Sequence, residues 1–333
     1  MRYLTRALMI GATLFFVACE NRPFEPDNQA DAVNAKGGKP GKPGGGGEDP
    51  PPVDPEIVYV GKSDGPFGIM GMAADGTGKS LIRRGSDSCW RPSWSPDGQR
   101  IVFDMWDKKS RVNLWIVNQD GSGLSRLTDF DGNESNADWS PDGSRLAFAY
   151  LDHDLARASI GMINPDGSDL TFIEPPSGFW YGDPAWSPDG TRIAFVRSAE
   201  QPSHAPWAIY VMDADGSNVQ AVTPPAPMLE TGYPEYTDSD PAWSPDGNLI
   251  AFDRLIEADD TYRIYLVRPD GTDLVDLTPD LDHWATDPSW SPDGTRIVFD
   301  GGNWGIYTMN ADGSNVTIID PTTDSAAFPD WKP

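Results

Sequence analysis

The pentapeptide Trp-Ser-Pro-Asp-Gly occurs five times in the chain, at Trp94–Gly98, Trp139–Gly143, Trp186–Gly190, Trp243–Gly247 and Trp290–Gly294. A sixth, cut-off copy ends in Phe328-Pro329-Asp330-Trp331. Successive copies start 45, 47, 57, 47 and 41 residues apart. A second motif alternates with it: Ile-Tyr-Val-Met-Asp-Ala-Asp-Gly-Ser-Asn at Ile209–Asn218 and Ile-Tyr-Thr-Met-Asn-Ala-Asp-Gly-Ser-Asn at Ile306–Asn315, with looser copies beginning at Ile69, Leu114, Ile160 and Ile264. Two interleaved motifs at a period of about 40–50 residues mean that one structural unit is repeated, and any fold must stack that unit on itself.

The fourth repeat shows what the unit is. Asp183–Ser187 reads as a short strand, A. Ser187-Pro188-Asp189-Gly190 is a turn in which proline presets φ, aspartate bonds nearby backbone and glycine supplies positive φ. Arg192–Arg197 is β-rich and bounded, a strand B. Ala208–Asp213 is strand C, Ala214-Asp215-Gly216-Ser217 a second hairpin turn, and Asn218–Thr223 strand D. No segment carries a helical period, and 34 Gly and 32 Pro punctuate the chain too often for long helices. Four meandering antiparallel strands per repeat make a propeller blade, and the fold class is all-β. Strands B, C and D of the first blade (Ile57–Val60, Phe67–Ala73, Lys79–Ile82) lack a preceding strand A, whereas the last residues form a strand A with nothing after it. Joining the two completes a sixth blade and closes the ring, which removes the exposed ends of a linear array. Residues 56–333 then supply about 46 residues per blade.

These motifs resemble the TolB-type propeller repeats of the WD40-like PD40 family over essentially all of the chain from Ile57. The resemblance implies a six-bladed propeller serving as a protein-binding platform in the bacterial envelope. TolB proper carries an α/β domain ahead of its propeller; the corresponding residues here read as a linker, so a role in the Tol–Pal system is not carried over. Peptidases with similar propellers also carry a hydrolase domain that is not read in these residues.

Met1–Cys19 has the layout of an export signal. Arg2 and Arg6 form a positive start, and Ala7–Ala18 is an apolar run too short to span a bilayer. The run ends Phe16-Val17-Ala18-Cys19, which resembles a lipobox with Cys19 as the lipidated residue; an ordinary signal peptide with an incidental Cys is the plainer alternative. Lipidation would tether the protein to a membrane without spanning it, and Glu20 after the Cys favours the outer membrane. Glu20–Pro55, with its Lys/Gly/Pro stretch at Lys36–Gly47, cannot bury a core and reads as a flexible tether. The net charge of −26 argues against nucleic acid as a partner and against docking flat on anionic lipid. The chain has two Cys; with Cys19 lipidated, Cys89 has no partner for an intrachain disulfide. A monomer is expected.

Strand alternation sorts the connections. The A–B and C–D turns share one face and barely vary. The B–C and D–A loops share the other and vary in length and sequence, which is where binding on a rigid scaffold usually sits. Of 13 Trp, six (Trp94, Trp139, Trp186, Trp243, Trp290, Trp331) belong to strand A and should pack between blades. Trp90, Trp106, Trp180, Trp207, Trp284 and Trp304 fall in or beside B–C and D–A segments, with Tyr181, Tyr233 and Tyr236. Such aromatics suit protein hot spots or stacking on sugar rings, or they plug their own loops. Asp183, Asp240 and Asp287 each lie three residues before a motif Trp, and Asn136 holds the same place. At the channel mouth this set could hold Ca²⁺; the plainer reading is that each bonds backbone at the entry to strand A. The Asp-Gly turns lack the full calcium-loop spacing, and hairpin chemistry explains them.

No nucleophile elbow, zincin or Cys-x-x-Cys motif is present. His153, His204 and His283 share the loop face and could form a metal site, as in propeller lyases acting on acidic sugars, if they converge. The sequence reading is a non-catalytic, lipid-anchored propeller that binds another envelope protein through the B–C/D–A face and needs no cofactor. A glycan-binding lipoprotein and a metal-dependent lyase are the alternatives.

Overall fold

The computed structural model describes residues 54–62, 67–84, 89–107, 110–200, 204–302, 305–321 and 326–333. The export signal, Cys19, nearly all of the tether and Trp304 lie outside them. Asp54–Pro333 forms one compact unit.

The motif Trp ends the first strand of each blade. These strands are β4 (Cys89–Trp94), β8 (Asn133–Trp139), β12 (Phe179–Trp186), β16 (Tyr236–Trp243), β20 (Thr286–Trp290) and β24 (Ala327–Trp331). The second strands are β1 (Ile57–Lys62), β5 (Arg100–Trp106), β9 (Leu146–Asp152), β13 (Arg192–Ala199), β17 (Ile250–Ile256) and β21 (Arg296–Asp300). The third are β2 (Phe67–Met72), β6 (Val112–Asn118), β10 (Arg157–Ile163), β14 (Ala208–Asp213), β18 (Thr261–Val267) and β22 (Ile306–Asn310). The outermost are β3 (Ser80–Arg84), β7 (Ser125–Arg126), β11 (Thr171–Ile173), β15 (Gln220–Ala221), β19 (Val275–Asp276) and β23 (Thr317–Asp320). They form six four-stranded antiparallel sheets, five in sequence order and one ordered β24-β1-β2-β3. Ile57 pairs with Trp331 and Val58 with Asp330, so the expected closure by the C-terminal strand is what the structure shows. Each first strand touches the next, in the ring β24, β4, β8, β12, β16, β20 and back to β24. These strands line the channel.

The motif builds its turn as its chemistry requires. Ser95 Oγ donates to Asp97 Oδ1 at 2.6 Å, the same oxygen accepts Gln99 N–H at 3.0 Å, and Arg100 N–H donates back to Ser95 Oγ at 2.9 Å. Gly98 sits at φ 63°, where a side chain is disfavoured. The same three bonds recur around Asp142, Asp189, Asp246 and Asp293. Bonding the Ser hydroxyl and the two N–H groups that follow the Gly within the turn lets strands A and B pair without ordered help from elsewhere.

Packing between blades follows from strand B. Phe103, Phe148, Phe195, Phe252 and Phe299 occupy one repeat position and are fully buried, as is Tyr59 at that position in the closing blade. The motif Trp of each blade lies against its predecessor: Trp243, for example, shares a cluster with Ala194, Val196 and Ile209. Burial of each large side chain stabilises the ring by about 1.5–3 kcal/mol. The arginine that opens strand B also reaches forward. Arg100, Arg192 and Arg296 lie over the rings of Trp139, Trp243 and Trp331 at 4.8–4.9 Å. No arginine of this kind precedes Trp94; Lys332 takes the place at 5.2 Å.

Candidate functional site

Every first strand breaks register just before its Trp. The shift falls between Trp90 and Ser93, Ser135 and Asp138, Gly182 and Ala185, Ser239 and Ala242, and Thr286 and Ser289. The residue three before each Trp carries the bulge in the left-handed region: Arg91 (φ 50°), Asn136 (53°), Asp183 (44°), Asp240 (46°), Asp287 (51°) and Phe328 (55°). Asn and Asp tolerate that region better than other side chains, which explains four of the six identities. A β-bulge re-aims a side chain, and here it assembles a ring of six at the loop-face mouth of the channel.

Arg91 organises this ring. Its Nη1 reaches across the channel to Asp240 Oδ1 at 2.9 Å, on the diametrically opposite strand, and lies 3.8 Å from Asp183 Oδ1. Asn136 Nδ2 donates to that same Asp183 oxygen. The Arg91 guanidinium stands 5.2 Å from the Phe328 ring. The four residues read as a possible Ca²⁺ site are thus brought together, but the positive charge among them is the protein's own. Among the described residues, no group of three or more His, Cys, Asp or Glu is placed to hold a metal ion.

Further carboxylates back the ring. Asp104 Oδ2 accepts the Asn136 N–H at 3.2 Å, and Asp253 Oδ1 the Asp287 N–H at 3.3 Å. Deeper in the channel, Asp138 Oδ2 accepts the Trp186 N–H at 2.6 Å and Asp330 Oδ2 the Trp94 N–H at 2.9 Å. Each bond joins neighbouring blades. Burial is the main cause of the raised pKa of these groups: Asp104 and Asp138 are pushed up to about 7 and Asp330 to about 6. Asp183, Asp253 and Asp287 are raised by burial and then by the neighbouring Asp240 carboxylate. Asp238 is fully buried and held by a two-point pairing with Arg254, at 2.6 and 3.0 Å.

The aromatics sit around this mouth. Trp90 meets Trp106 edge-on, with centroids 6.0 Å apart. Trp180 and Trp207 lie 6.5 Å apart, His204 and Tyr233 4.9 Å, Tyr262 and Trp284 5.5 Å, and His283 and Tyr307 4.7 Å. All these residues come from the start of a first strand, the end of a second, the start of a third, or the loops between. Tyr236 lies over the Arg254 guanidinium at 3.9 Å. Each paired tryptophan is partly exposed. Tyr181 is the exception among the residues assigned to this face. It is 2% exposed, packs its ring 4.7 Å from Phe195 and belongs to the core between two blades. Strand A of that blade starts earlier than the motif indicates, at Phe179, and period-two alternation turns Tyr181 inward. His153, His204 and His283 do not form one constellation: His204 and His283 pair with tyrosines of different blades, and His153 is exposed. Sequence reading missed Arg91, although its place three before Trp94 was the available signal; the backing carboxylates of strands A and B carried no such signal.

Fold and mouth together define a six-bladed propeller that carries its variable, aromatic and acidic groups at one end of a channel bridged by Arg91 and Asp240. The chain belongs to the TolB β-propeller (PD40) family, whose model matches residues 53–228. Uncharacterized protein Atu1656 of Agrobacterium fabrum is 26% identical over 203 residues, covering 61% of this chain and 52% of that protein. This chain therefore spans about half the length of that curated relative. TolB from Acinetobacter baumannii superposes with a TM-score of 0.64 at 20% identity, over 85% of this chain and 68% of that one. An oligogalacturonate lyase in complex with manganese superposes with a TM-score of 0.53 at 17% identity, over 79% and 73%. At these identities the structural likenesses show the fold alone.

Proposed function

We propose that the protein is a non-catalytic binding platform of the bacterial cell envelope, anchored by a lipid on Cys19 and held off the membrane by residues 20–55. It engages another envelope protein through its B–C/D–A face. The observation that carries this reading is the set of partly exposed aromatic pairs around one mouth of a rigid ring, Trp90–Trp106, Trp180–Trp207 and Tyr262–Trp284 foremost. Such side chains bury large area with little loss of conformational freedom, and pairing fixes their geometry before a partner arrives. The channel supports the same reading. Its charged groups bond each other and the neighbouring blades, as expected of a scaffold that positions loops. The net charge of −26 favours a protein partner with a basic patch over nucleic acid.

A crosslinking capture from native envelopes tests the proposal. The bait is the full chain, compared with a bait carrying Trp180→Ala, Trp207→Ala and Trp284→Ala. One protein enriched on the native bait and lost on the variant is the expected result. Identical captures on both baits would remove the aromatic face from the account. Saturable oligosaccharide binding abolished by the same substitutions would replace the protein partner with a glycan.

A further inference from the structure

The loop face contains an open cleft of about 310 Å³, between the β17–β18 connection, the segment leading into β20 and Gly301–Gly302 after β21. Asp260, Thr261, Asp282, His283, Trp284 and the backbone of Gly301–Gly302 line it. Three features make it more than a gap between loops. The Trp284 indole is fixed: its Nε1 donates to the Asp260 carbonyl at 3.0 Å, and its ring stands edge-on to Tyr262 at 5.5 Å. His283 is fixed as well, its Nδ1 2.9 Å from the Trp284 carbonyl and its ring 4.7 Å from Tyr307. Gly301 and Gly302 add backbone without side chains to the lining.

The lining carries two exposed carboxylates, an imidazole and an indole, and neither Lys nor Arg. That composition opposes an acidic sugar, whose carboxylate would face Asp260 and Asp282 with no countercharge in the lining. It suits a cation. A guanidinium matches best, because it is planar, stacks on an indole and donates in a fork to carboxylates, whereas an ammonium is a strongly hydrated point charge. The charge of the whole molecule, −26, draws the same sign. We propose that this cleft receives the guanidinium of an arginine side chain presented by the partner, stacked on Trp284 and paired with Asp282. The inference rests on the protein-platform reading and gives that platform its anchor pocket.

The test is a titration of the full chain with N-acetyl-arginine N-methylamide, read from the indole Nε1 resonance of Trp284, which is assigned by its loss in Trp284→Phe. The expected result is a saturable shift. The citrulline analogue, equal in shape but uncharged, should bind at least about tenfold more weakly, and Asp282→Asn should weaken the arginine probe by a similar factor. Asp282 is exposed, so that variant leaves the fold intact, and the other indole resonances verify it. Equal binding of the citrulline probe, tighter binding of a neutral trisaccharide, or no shift up to the solubility of the probe would each overturn the proposal. The two readings fail separately. A partner captured equally by native bait and Trp284→Ala, but lost on Trp180→Ala with Trp207→Ala, overturns the arginine pocket and leaves the platform standing.

Discussion

Arg91 is the residue on which the mouth of the channel turns. It faces Asp240 from the opposite side of the ring and lies beside Asp183, and its partners are partly or fully withdrawn from water. Removing one member of such a pair leaves uncompensated like charges, so Arg91→Ala should lower stability by about 3 kcal/mol in urea denaturation. A variant as stable as the native protein would show that the carboxylates need no guanidinium. The buried acids also set the pH dependence. Asp104 and Asp138, raised to about 7, and Asp330, raised to about 6, hold protons in the fold that the unfolded chain releases at lower pH. Their contribution is full below about pH 4 and is lost as pH rises through 6 to 7. The turn acids act oppositely: hydrogen bonds from Ser187 and Thr191 hold Asp189 at about 2, and those from Thr295 and Ser291 hold Asp293 at about 2. Their contribution is present above about pH 4 and disappears towards pH 2. Melting temperature should therefore peak near pH 4–5, decline towards pH 8 and fall steeply below pH 3. Asp138→Asn, which retains an oxygen for the Trp186 N–H, should flatten the decline towards pH 8. An unchanged slope in that variant would mean that Asp138 does not hold the proton.

At the scale of strands and turns, the five repeated pentapeptides made the blade readable because each residue has a local physical task. Ser, Asp and Gly close the turn, and Trp packs on the preceding blade. The same logic accounts for the C–D hairpins: Asp215 Oδ1 accepts the Ser217 N–H at 2.9 Å and Gly216 lies at φ 86°, which is hairpin geometry. Tyr181 shows where legibility ended. The motif marks where strand A finishes but not where it starts, and four extra residue pairs with strand B, from Phe179 to Gly182, place Tyr181 within the sheet and against the core. The meeting of Arg91 with Asp240 was equally out of reach, since it depends on closure placing residues 149 apart in sequence across a channel. The Arg–Trp contacts between blades are a further element-scale device. Trp243→Ala should cost about 3–5 kcal/mol. A double-mutant cycle with Arg192→Ala should give a coupling of about 0.5–1 kcal/mol. A coupling of zero would reduce the stacked arginine to a surface coincidence.

For the whole molecule, ring closure is the decisive event. β24 supplies the first strand of a blade whose other strands come from residues near Ile57, and Lys332 secures it by an N–H bond to the Glu56 carbonyl at 2.7 Å. Deleting residues 327–333 should expose the inner edge of β1 and the apolar side of Trp94, replacing one cooperative unfolding transition by a broad one at lower temperature. A sharp transition at the native temperature would show that the ring does not depend on this strand. Closure also explains why the proposed binding face lies where it does. The A–B and C–D turns consume their polar groups in their own geometry, whereas the opposite mouth keeps aromatic rings and carboxylates partly exposed. Hydroxyl-radical footprinting of the full chain, with and without native envelope extract, tests this division most directly. The expected result is protection of Trp90, Trp106, Trp180, Trp207 and Trp284, with the turn face unchanged. Protection confined to the Asp-Gly turns around Gly216 and Gly313, or none on either face, would contradict it.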